Sequence, residues 1–573
     1  GVEKGQTANF ISKPEIKNIL GRVTGSDASV INGIIQVTGG NSNLYLMNPA
    51  GIVFGADASL NLPAAFTATT ANGIGFGDKW FKAFGENDYA SFIGNPDAFA
   101  FTQAGAILNE GNLAVDSGQN LTLLGGTVIN TGKLEAPGGN ITVAAVPEDK
   151  LVRITQEGSL LSLGLPVETK AIVTNQSFTP LSLPKLLTGG NLSSATGVEV
   201  ENGVVKLTGS SVEIPSNAGT IVVSKNETGD KFNSFNTEST NGGGDINLFA
   251  PTGNIILDEV KLSAGGNLNL EAQSVVTNTY SYYNDNELKA GQDLTLQANS
   301  VSNALLGNLD AGQDLTIETQ TDLDGLPFSL TVGGNTLLRS QSGSITLDRE
   351  TLSQENLRGN VTLEANKDIT ITESRLEATR DLKLQAGKNI TLEKSQLNAT
   401  KDMNITSANR VEIKDAEEAA IITTGRDLLI QGNEGISIQT FRNIDSILES
   451  GSNLKLVSNG VIIGNANFVS SGNFSTTSVV GGVGNFQQTI PNFNTIISSG
   501  GDVNFGNYEG LALKVEAKGS ITGGDITIYG SNPTLTGSDP DIPLLTNEPG
   551  LVLRAGVDQL QNTPNISIQS VGG

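Results

Sequence analysis

The chain has 573 residues, of which 16% are charged and 69 are glycine, and its formal net charge is −25. This acidity disfavours nucleic acids and anionic membranes as partners, because both repel a negative protein at long range. The sequence has no cysteine and no histidine, which excludes disulfides and thiolate metal sites and removes the commonest general base of enzymes. No window approaches the 18 or so consecutive apolar residues that would span a membrane.

Residues 43–76 show apolar positions that alternate with polar ones, without a helical period. This pattern predicts short strands joined by tight turns. The segment Asn48-Pro49-Ala50-Gly51-Ile52 has Asn first, Pro second and Gly fourth. These residues at these positions predict a type I β-turn, because Pro presets φ at the second position and Gly closes the turn without strain.

The sequence NPAGIVFG at this turn, followed by ASLN and FTATTANGIGF, resembles the secretion domain of filamentous haemagglutinin-type exoproteins of two-partner secretion systems. The family motif N-P-N-G-I corresponds to residues 48–52, with Ala50 in place of the second Asn. The family's upstream N-P-N-L motif cannot be placed in this sequence. The resemblance covers residues 1–145 closely and the rest more loosely, and it implies that further family strands and a removed leader precede residue 1.

Residues 78–101 are rich in aromatic side chains and hold the only tryptophan, Trp80. Flat aromatic rings stack on sugar faces, so a carbohydrate platform is one interpretation of this segment. Aromatic residues more often bury their large area. We therefore favour a hairpin outside the main solenoid that packs its rings against the solenoid wall.

A repeat emerges from Gly105 onward, in which Asn or Asp precedes an apolar-polar-apolar segment. Residues 146–240 interrupt it with an excursion around Pro180 and Pro184 and with a polar, glycine-rich stretch. Proline and glycine punctuate regular structure. We interpret this region as an insertion outside the solenoid and not as a separate catalytic domain.

The repeat becomes regular after Gly242. Apolar residues recur at intervals of 21 at two positions, namely Val361, Leu382 and Met403, and Ile369, Ile390 and Val411, with Leu376 and Leu397 at a third. Three short alternating segments per period predict one coil of a parallel β-helix with three faces. Stacked coils bury what a single coil cannot, and each Asn or Asp before a strand can bond its own backbone or its copy on the next coil.

These patterns predict an all-β chain, a parallel β-helix of roughly 20 coils with hairpin insertions outside the helix; its right-handedness is implied by the resemblance. We divide the chain into a secretion domain at 1–145, solenoid with an insertion at 146–240, regular repeats at 241–530 and a terminal coil or tail at 531–573.

Some parallel β-helices are polysaccharide lyases or hydrolases, so an enzyme must be weighed. Paired carboxylates can hydrolyse glycosides, and the candidate pairs are Asp322 with Asp324, Glu417 with Glu418, and Asp539 with Asp541. None lies in a recognisable enzyme motif, and turns on the surface explain them as well. No motif for calcium, phosphate or another cofactor is present, so we predict no catalytic, cofactor or metal site.

The resemblance implies a secreted or surface-exposed adhesin of a double-membrane bacterium. It implies that an outer-membrane β-barrel transporter recognises the N-terminal region, with residues 48–52 as the secretion motif, and that the solenoid binds a glycan or protein receptor. On this hypothesis, replacing Asn48 stops secretion without unfolding the protein. The alternative is a polysaccharide-active enzyme that uses a carboxylate pair.

Overall fold

The computed structural model of the protein describes residues 1–103, 105–154, 161–164, 182–188, 198–207, 213–214, 219–224, 234–240, 242–277, 286–301, 307–326, 329–353, 355–415, 422–440, 447–487, 495–533 and 539–561. The chain forms two compact units, one of residues 1–317 with 327–331 and the other of residues 318–326 with 332–573. Strands make up 55% of the chain and helices 3%, in a parallel β-solenoid of about 17 turns. The all-β prediction is confirmed, but the expected number of coils was too high because the excursions use residues that do not form solenoid strands.

Each coil contributes up to three strands, which pair in parallel with their copies on neighbouring coils to form three faces. The alternating sequence explains this arrangement, since the side chains of a strand point alternately to the two sides of a sheet. In Leu382–Ala386, for example, the first, third and fifth residues are buried in the core and the others face outward.

The first unit has its strands in the following order by face. The first face contains Asn18–Arg22, Asn43–Met47, Phe66–Thr69, Leu121–Gly125, Ile141–Ala145, Ile246–Asp258, Leu268–Thr277 and Leu294–Val301, the last three of which continue around the corner into the second face. The second face contains Ser29–Ile31, Ile52–Phe54, Ala106–Asn109, Thr127–Asn130 and Ile221–Ser224. The third face contains Thr7–Ile11, Ile34–Thr38, Ser59–Asn61, Asn112–Ala114, Lys133–Glu135, Phe235–Asn236, Lys261–Ala264, Glu287–Ala290 and Asn308–Ala311. Two strands, Leu315–Thr319 and Ser329–Val332, have residues in both units.

The second unit repeats the three-faced plan. Its first face contains Thr336–Ser340, Val361–Ala365, Leu382–Ala386, Met403–Ser407, Leu428–Gly432, Leu454–Val457, Phe474–Thr477, Val503–Asn504 and Ile521–Thr522. Its second face contains Leu323–Asp324, Ile345–Asp348, Ile369–Thr372, Ile390–Glu393, Arg410–Asp415, Gly435–Thr440, Val461–Asn465, Phe486–Gln487, Tyr508–Gly510 and Ile526–Ile528. Its third face contains Thr351–Leu352, Arg375–Ala378, Gln396–Ala399, Ile422–Thr424, Ile447–Ser450, Asn467–Ser470, Ile496–Ser499, Leu513–Ala517 and Leu551–Ala555.

The phasing predicted from the sequence is confirmed. The apolar residues that recur every 21 positions are register partners on successive coils, with Val361, Leu382 and Met403 on the first face, Ile369, Ile390 and Val411 on the second, and Leu376 and Leu397 on the third. All of them are buried. Identical positions therefore stack on one another and form a continuous apolar core within the unit.

The Asn and Asp residues before the first-face strands form a ladder between coils. A side-chain oxygen of each accepts a hydrogen bond from the backbone N–H of its copy on the next coil, as between Asp381 and Asp402 at 3.1 Å. In the second unit this contact runs without interruption through Asn335, Asn360, Asp381, Asp402, Asp427, Asn453, Asn473, Asp502 and Ser520. The predicted bond to the copy on the next coil is confirmed, and the earlier coil supplies the acceptor in every step.

An antiparallel sheet outside the first unit's solenoid carries the aromatic segment. Its strands are Gly73–Phe76, Lys79–Lys82, Ala98–Phe101, Lys150–Ile154 and Leu161–Gly164, and a short 3-10 helix spans Tyr89–Ser91. Phe76, Phe81, Phe99 and Phe101 are buried in a cluster with Met47 and other residues of the first face. The predicted packing of a hairpin on the solenoid wall is confirmed, and these four rings have no free face to offer a sugar.

A second excursion leaves the solenoid between Ile141–Ala145 and Ile221–Ser224. It contains a helix at Leu183–Thr188 and a small antiparallel sheet of Val198–Glu201, Val204–Leu207 and Glu213–Ile214. The other helix of the described residues is Ile542–Asn547 in the second unit. Within the described ranges, neither helix has the length and apolar character needed to cross a membrane.

Replacing Asp381 with alanine removes the acceptor for the Asp402 amide. We expect this change to cost about 0.5–2 kcal/mol, the range for losing a side-chain cap on a backbone N–H. Faster amide exchange around Asp402, measured by mass spectrometry, would report the loss. Asp381→Asn is the matched control, because its amide oxygen keeps the acceptor. An Asn variant that exchanges as fast as the Ala variant would contradict the acceptor role.

Candidate functional site

The predicted secretion motif lies at the corner between the first-face strand Asn43–Met47 and the second-face strand Ile52–Phe54. The Gly51 N–H donates to the Asn48 carbonyl oxygen at 3.1 Å, which closes the four-residue turn. Gly51 has a φ of +126°, a conformation that side-chain-bearing residues rarely adopt. The predicted β-turn is confirmed, and the fourth position has a physical reason to be glycine.

The Asn48 side chain is fully buried and fastens this turn to the preceding coil. Its Oδ1 accepts from the Ala50 N–H at 3.0 Å, while its Nδ2 donates to Ser29 Oγ at 2.9 Å and to the Asp27 carbonyl oxygen at 3.1 Å. Its backbone N–H donates to the Thr69 carbonyl oxygen of the following coil at 3.0 Å. A single residue thus connects three successive coils.

The helix Leu183–Thr188 covers the outer side of this corner. A Cβ placed on Gly51 would lie 3.0 Å from Leu186 Cδ1, so the turn and the helix are in close contact. Leu183, Leu186 and Leu187 are buried in one cluster with Val53 of the strand that follows the turn. All five residues of the motif are buried in the folded protein.

The sequence analysis missed this covering helix. Its signal is the spacing of Leu183, Leu186 and Leu187, which places three leucines on one side of a helix. The neighbouring prolines led us to expect only an irregular excursion there. The consequence is that a substitution at Asn48 acts on a packed turn, so we now expect it to lower local stability as well as any recognition by a transporter.

A second asparagine has the same structural role outside the motif. Asn109, also fully buried, accepts from the Gly111 N–H at 3.1 Å through Oδ1 and donates to Asn130 Oδ1 at 2.7 Å through Nδ2. It fastens a corner between the second and third faces to the next coil. Asn109 therefore separates the turn-forming role of an asparagine from any role specific to residues 48–52.

The carboxylate pairs considered for catalysis have structural partners. Asp322 Oδ1 accepts the Ser344 N–H at 2.7 Å and so forms a rung between coils, while Asp324 is exposed on a neighbouring strand. Glu417 and Glu418 lie outside the described residues. The described ranges hold no group of three or more acidic, histidine or cysteine side chains arranged to bind a metal ion.

Asp539 and Asp541 belong to a buried ion cluster on the third face of the second unit. Lys514 and Glu516 are fully buried, and Lys514 Nζ lies 2.6 Å from Asp539 Oδ2, 2.9 Å from Asp541 Oδ2 and 3.3 Å from Glu516 Oε1. Arg554 binds both Asp541 and Glu516. The cluster fastens the segment from Asp539 to Asp541 and the last strand to the solenoid.

The pKa shifts in this cluster follow from the pairing. The hydrogen bond from Arg554, assisted by Lys514, holds the pKa of Asp541 well below its usual range. Burial by itself would lower the pKa of Lys514, but its hydrogen bonds to Asp539 and Asp541 outweigh burial and raise it. Both groups are charged at neutral pH, so this carboxylate pair is neutralised by cations and is not poised as an acid and a base.

Comparison with protein families decides the identity. The family model described as TPS secretion domain matches residues 1–183, and the one described as hemagglutinin repeat matches residues 338–487. The chain belongs to the filamentous haemagglutinin-type exoproteins of two-partner secretion systems. A comparison with curated proteins gives no match.

The exoprotein is an adhesin that is secreted or displayed on the surface of a Gram-negative bacterium. Its TPS secretion domain implies interaction with an outer-membrane transporter. Both family matches point to a secreted haemagglutinin without enzymatic function. They match the fold described above, because the hemagglutinin repeat falls on the regular coils of the second unit.

Removing the buried cation of the ion cluster is expected to free the segment that it holds. Lys514→Met leaves Glu516 and Asp539 buried without this partner, which costs about 3–5 kcal/mol for a broken buried pair. Hydrogen exchange across residues 539–556 would show the loss of protection. Lys518→Met, an exposed lysine beside the same strand, is the matched control and should leave exchange unchanged. Equal exchange in the two variants would mean that the cluster does not hold the segment.

The same segment should respond to acid. Because the folded protein lowers the pKa of Asp541, this group stabilises the segment at pH values above the usual aspartate pKa of about 4, and the contribution is lost as the pH falls below that value. We expect steady protection of strand Leu551–Ala555 near neutral pH and a decline in acid. Asp541→Asn should lower protection at neutral pH and remove this acid-dependent decline. An unchanged acid profile in that variant would rule out Asp541 as its source.

Proposed function

We propose that the transporter recognises residues 1–145 and that residues 48–52 form the part of this region that export requires. The turn at Asn48 is buried and covered by the helix Leu183–Thr188, so its side chains have no surface on which a partner can bind in the folded protein. The transporter therefore contacts the motif before the chain has emerged as far as residue 188. This burial is the observation that supports the proposal.

The repeats after residue 241 carry the adhesive function in this proposal. Their inward residues are committed to the core, so a receptor contacts the outward columns and the turns of successive coils. The receptor is a glycan or a protein on a cell surface. The division into a secretion domain at 1–145, an insertion at 146–240, repeats at 241–530 and a terminal region at 531–573 follows from the same proposal.

Secretion of two asparagine variants tests the role of the motif. In a host with the cognate transporter and with a leader restored, Asn48→Ala should abolish export, while Asn109→Ala should preserve it. Both substitutions leave buried backbone or side-chain partners unsatisfied, at about 1–3 kcal/mol for each group. Thermal unfolding of the two purified proteins checks that their losses of stability are comparable.

Equal loss of export in both variants would overturn the proposal, since residues 48–52 would then matter only as a structural turn. Export that continues without the transporter would remove the functional content of the N-terminal region. Adhesion is tested separately, by binding of the purified exoprotein to animal cells and by its loss when residues 338–487 are supplied in excess as a competing chain that shows the same circular dichroism as the repeats.

A further inference from the structure

A polar groove runs along one edge of the regular coils in the second unit. Its wall is the outward column at the fourth position of successive first-face strands, formed by Arg339, Glu364, Gln385, Thr406 and Gln431, which are register partners in that order. The floor consists of the small residues that follow in each strand and the turn residues after them. The groove has a volume of about 700 Å³ and spans five coils.

The lining is rich in groups that both donate and accept hydrogen bonds. Gln385, Gln431, Asn366 and Asn433 contribute amides, and Thr406 contributes a hydroxyl. An amide carries two donors and an acceptor oxygen, while a hydroxyl is a donor and an acceptor at once. Only the Gln431 amide is held by a neighbour, through a bond from its Nε2 to Asn433 Oδ1 at 2.9 Å; among the described residues the Gln385 amide has no partner.

The charges at one end of the groove largely satisfy each other. Arg339 binds Glu364 Oε2 through Nε at 3.0 Å and Nη2 at 2.8 Å, and Lys383 binds Glu364 Oε1 at 3.0 Å. Burial acts to raise the pKa of Glu364, but these two cations outweigh it and lower the pKa. The remainder of the groove is uncharged, which disfavours a phosphate backbone, and its floor has no pocket for an apolar side chain.

The depth of the groove suits a ligand that approaches the backbone. Ala365, Ala386, Gly387 and Ala408 keep the floor low beside the taller amide column. The strands beneath are already paired on both sides, so a peptide cannot add to a free sheet edge there. A ligand must bind through its own side groups, and these must be polar to match the lining.

We propose that this groove binds an extended linear glycan with one sugar residue for each coil. The groove repeats at the spacing of adjacent strands, about 4.8 Å, which is close to the length of one hexose residue in an extended polysaccharide. Sugar hydroxyls donate and accept hydrogen bonds, as the amide column does. The inference rests on the proposed adhesive function, since it names the ligand class and the site.

Oligosaccharide binding tests the groove. Purified chain is titrated with β-1,4-linked glucose oligomers and with galacturonate oligomers of one to seven units, by calorimetry. We expect the affinity for one series to rise with each unit and to level off near five, the number of coils that line the groove. The double variant Gln385→Ala with Gln431→Ala should weaken binding at least tenfold, and binding of the neutral series at least as tightly as the acidic one is expected from the uncharged lining.

Gln396→Ala is the matched control, because this glutamine lies on the third face of an adjacent part of the same unit. It should leave the affinity unchanged. A glycan array that carries both animal-cell and bacterial polysaccharides then identifies the source of the ligand, and a linear glycan from either source whose binding needs Gln385 and Gln431 supports the proposal. Both glutamines point outward, so circular dichroism should show intact folding in the variants.

Three results would overturn the inference. They are no binding of any oligomer or arrayed glycan, affinity that does not change with length, and affinity that is unaffected by the double variant or is lowered equally by Gln396→Ala. If the exoprotein still adheres to cells in those cases, the proposed adhesive function stands and only the groove is rejected. If the oligomers bind but the exoprotein does not adhere, the groove stands and the adhesive function is rejected.

Discussion

The contact between each coil and the next is the interaction on which this exoprotein depends. A single coil of about 21 residues cannot bury its inward side chains, and stability in such a fold comes from neighbouring units. Here Leu lies on Leu or Met and Ile lies on Ile or Val at every step of the regular region. The same stacking aligns the backbone groups, so apolar burial and hydrogen bonding require a single register.

The asparagine and aspartate ladder gives this stacking a direction. In each rung the side chain of the earlier coil accepts the amide of the later one, as Asp402 does for Asp427. A coil that has already folded therefore presents an acceptor for the coil that arrives next. A protein that leaves the cell in the order of its sequence has this acceptor in place whenever a new coil emerges, which favours folding outside the membrane.

Stacking also determines where function can reside. Every inward position is committed to the core, so the solenoid offers partners only its outward columns, its turns and its insertions. The two insertions of the first unit cover outward columns, with Phe81 on the first face and Leu186 on the second. In the second unit the column from Arg339 to Gln431 remains open. Exposed ion pairs on such columns contribute little to stability, and they are free to serve recognition.

The sequence by itself determined the periodic part of this protein. The 21-residue recurrence of Val361, Leu382 and Met403 placed these residues in register, and the order Asn48, Pro49, Gly51 placed a turn, because both signals are local or repeat along the chain. Only the tertiary structure decided what has no period. The cover of Leu186 over Gly51, the meeting of Lys514 with Asp539 and the groove formed by side chains from five coils join residues that are distant in sequence. Their contacts arise from how the insertions pack and how far each coil is displaced, and no local pattern of residues specifies that geometry.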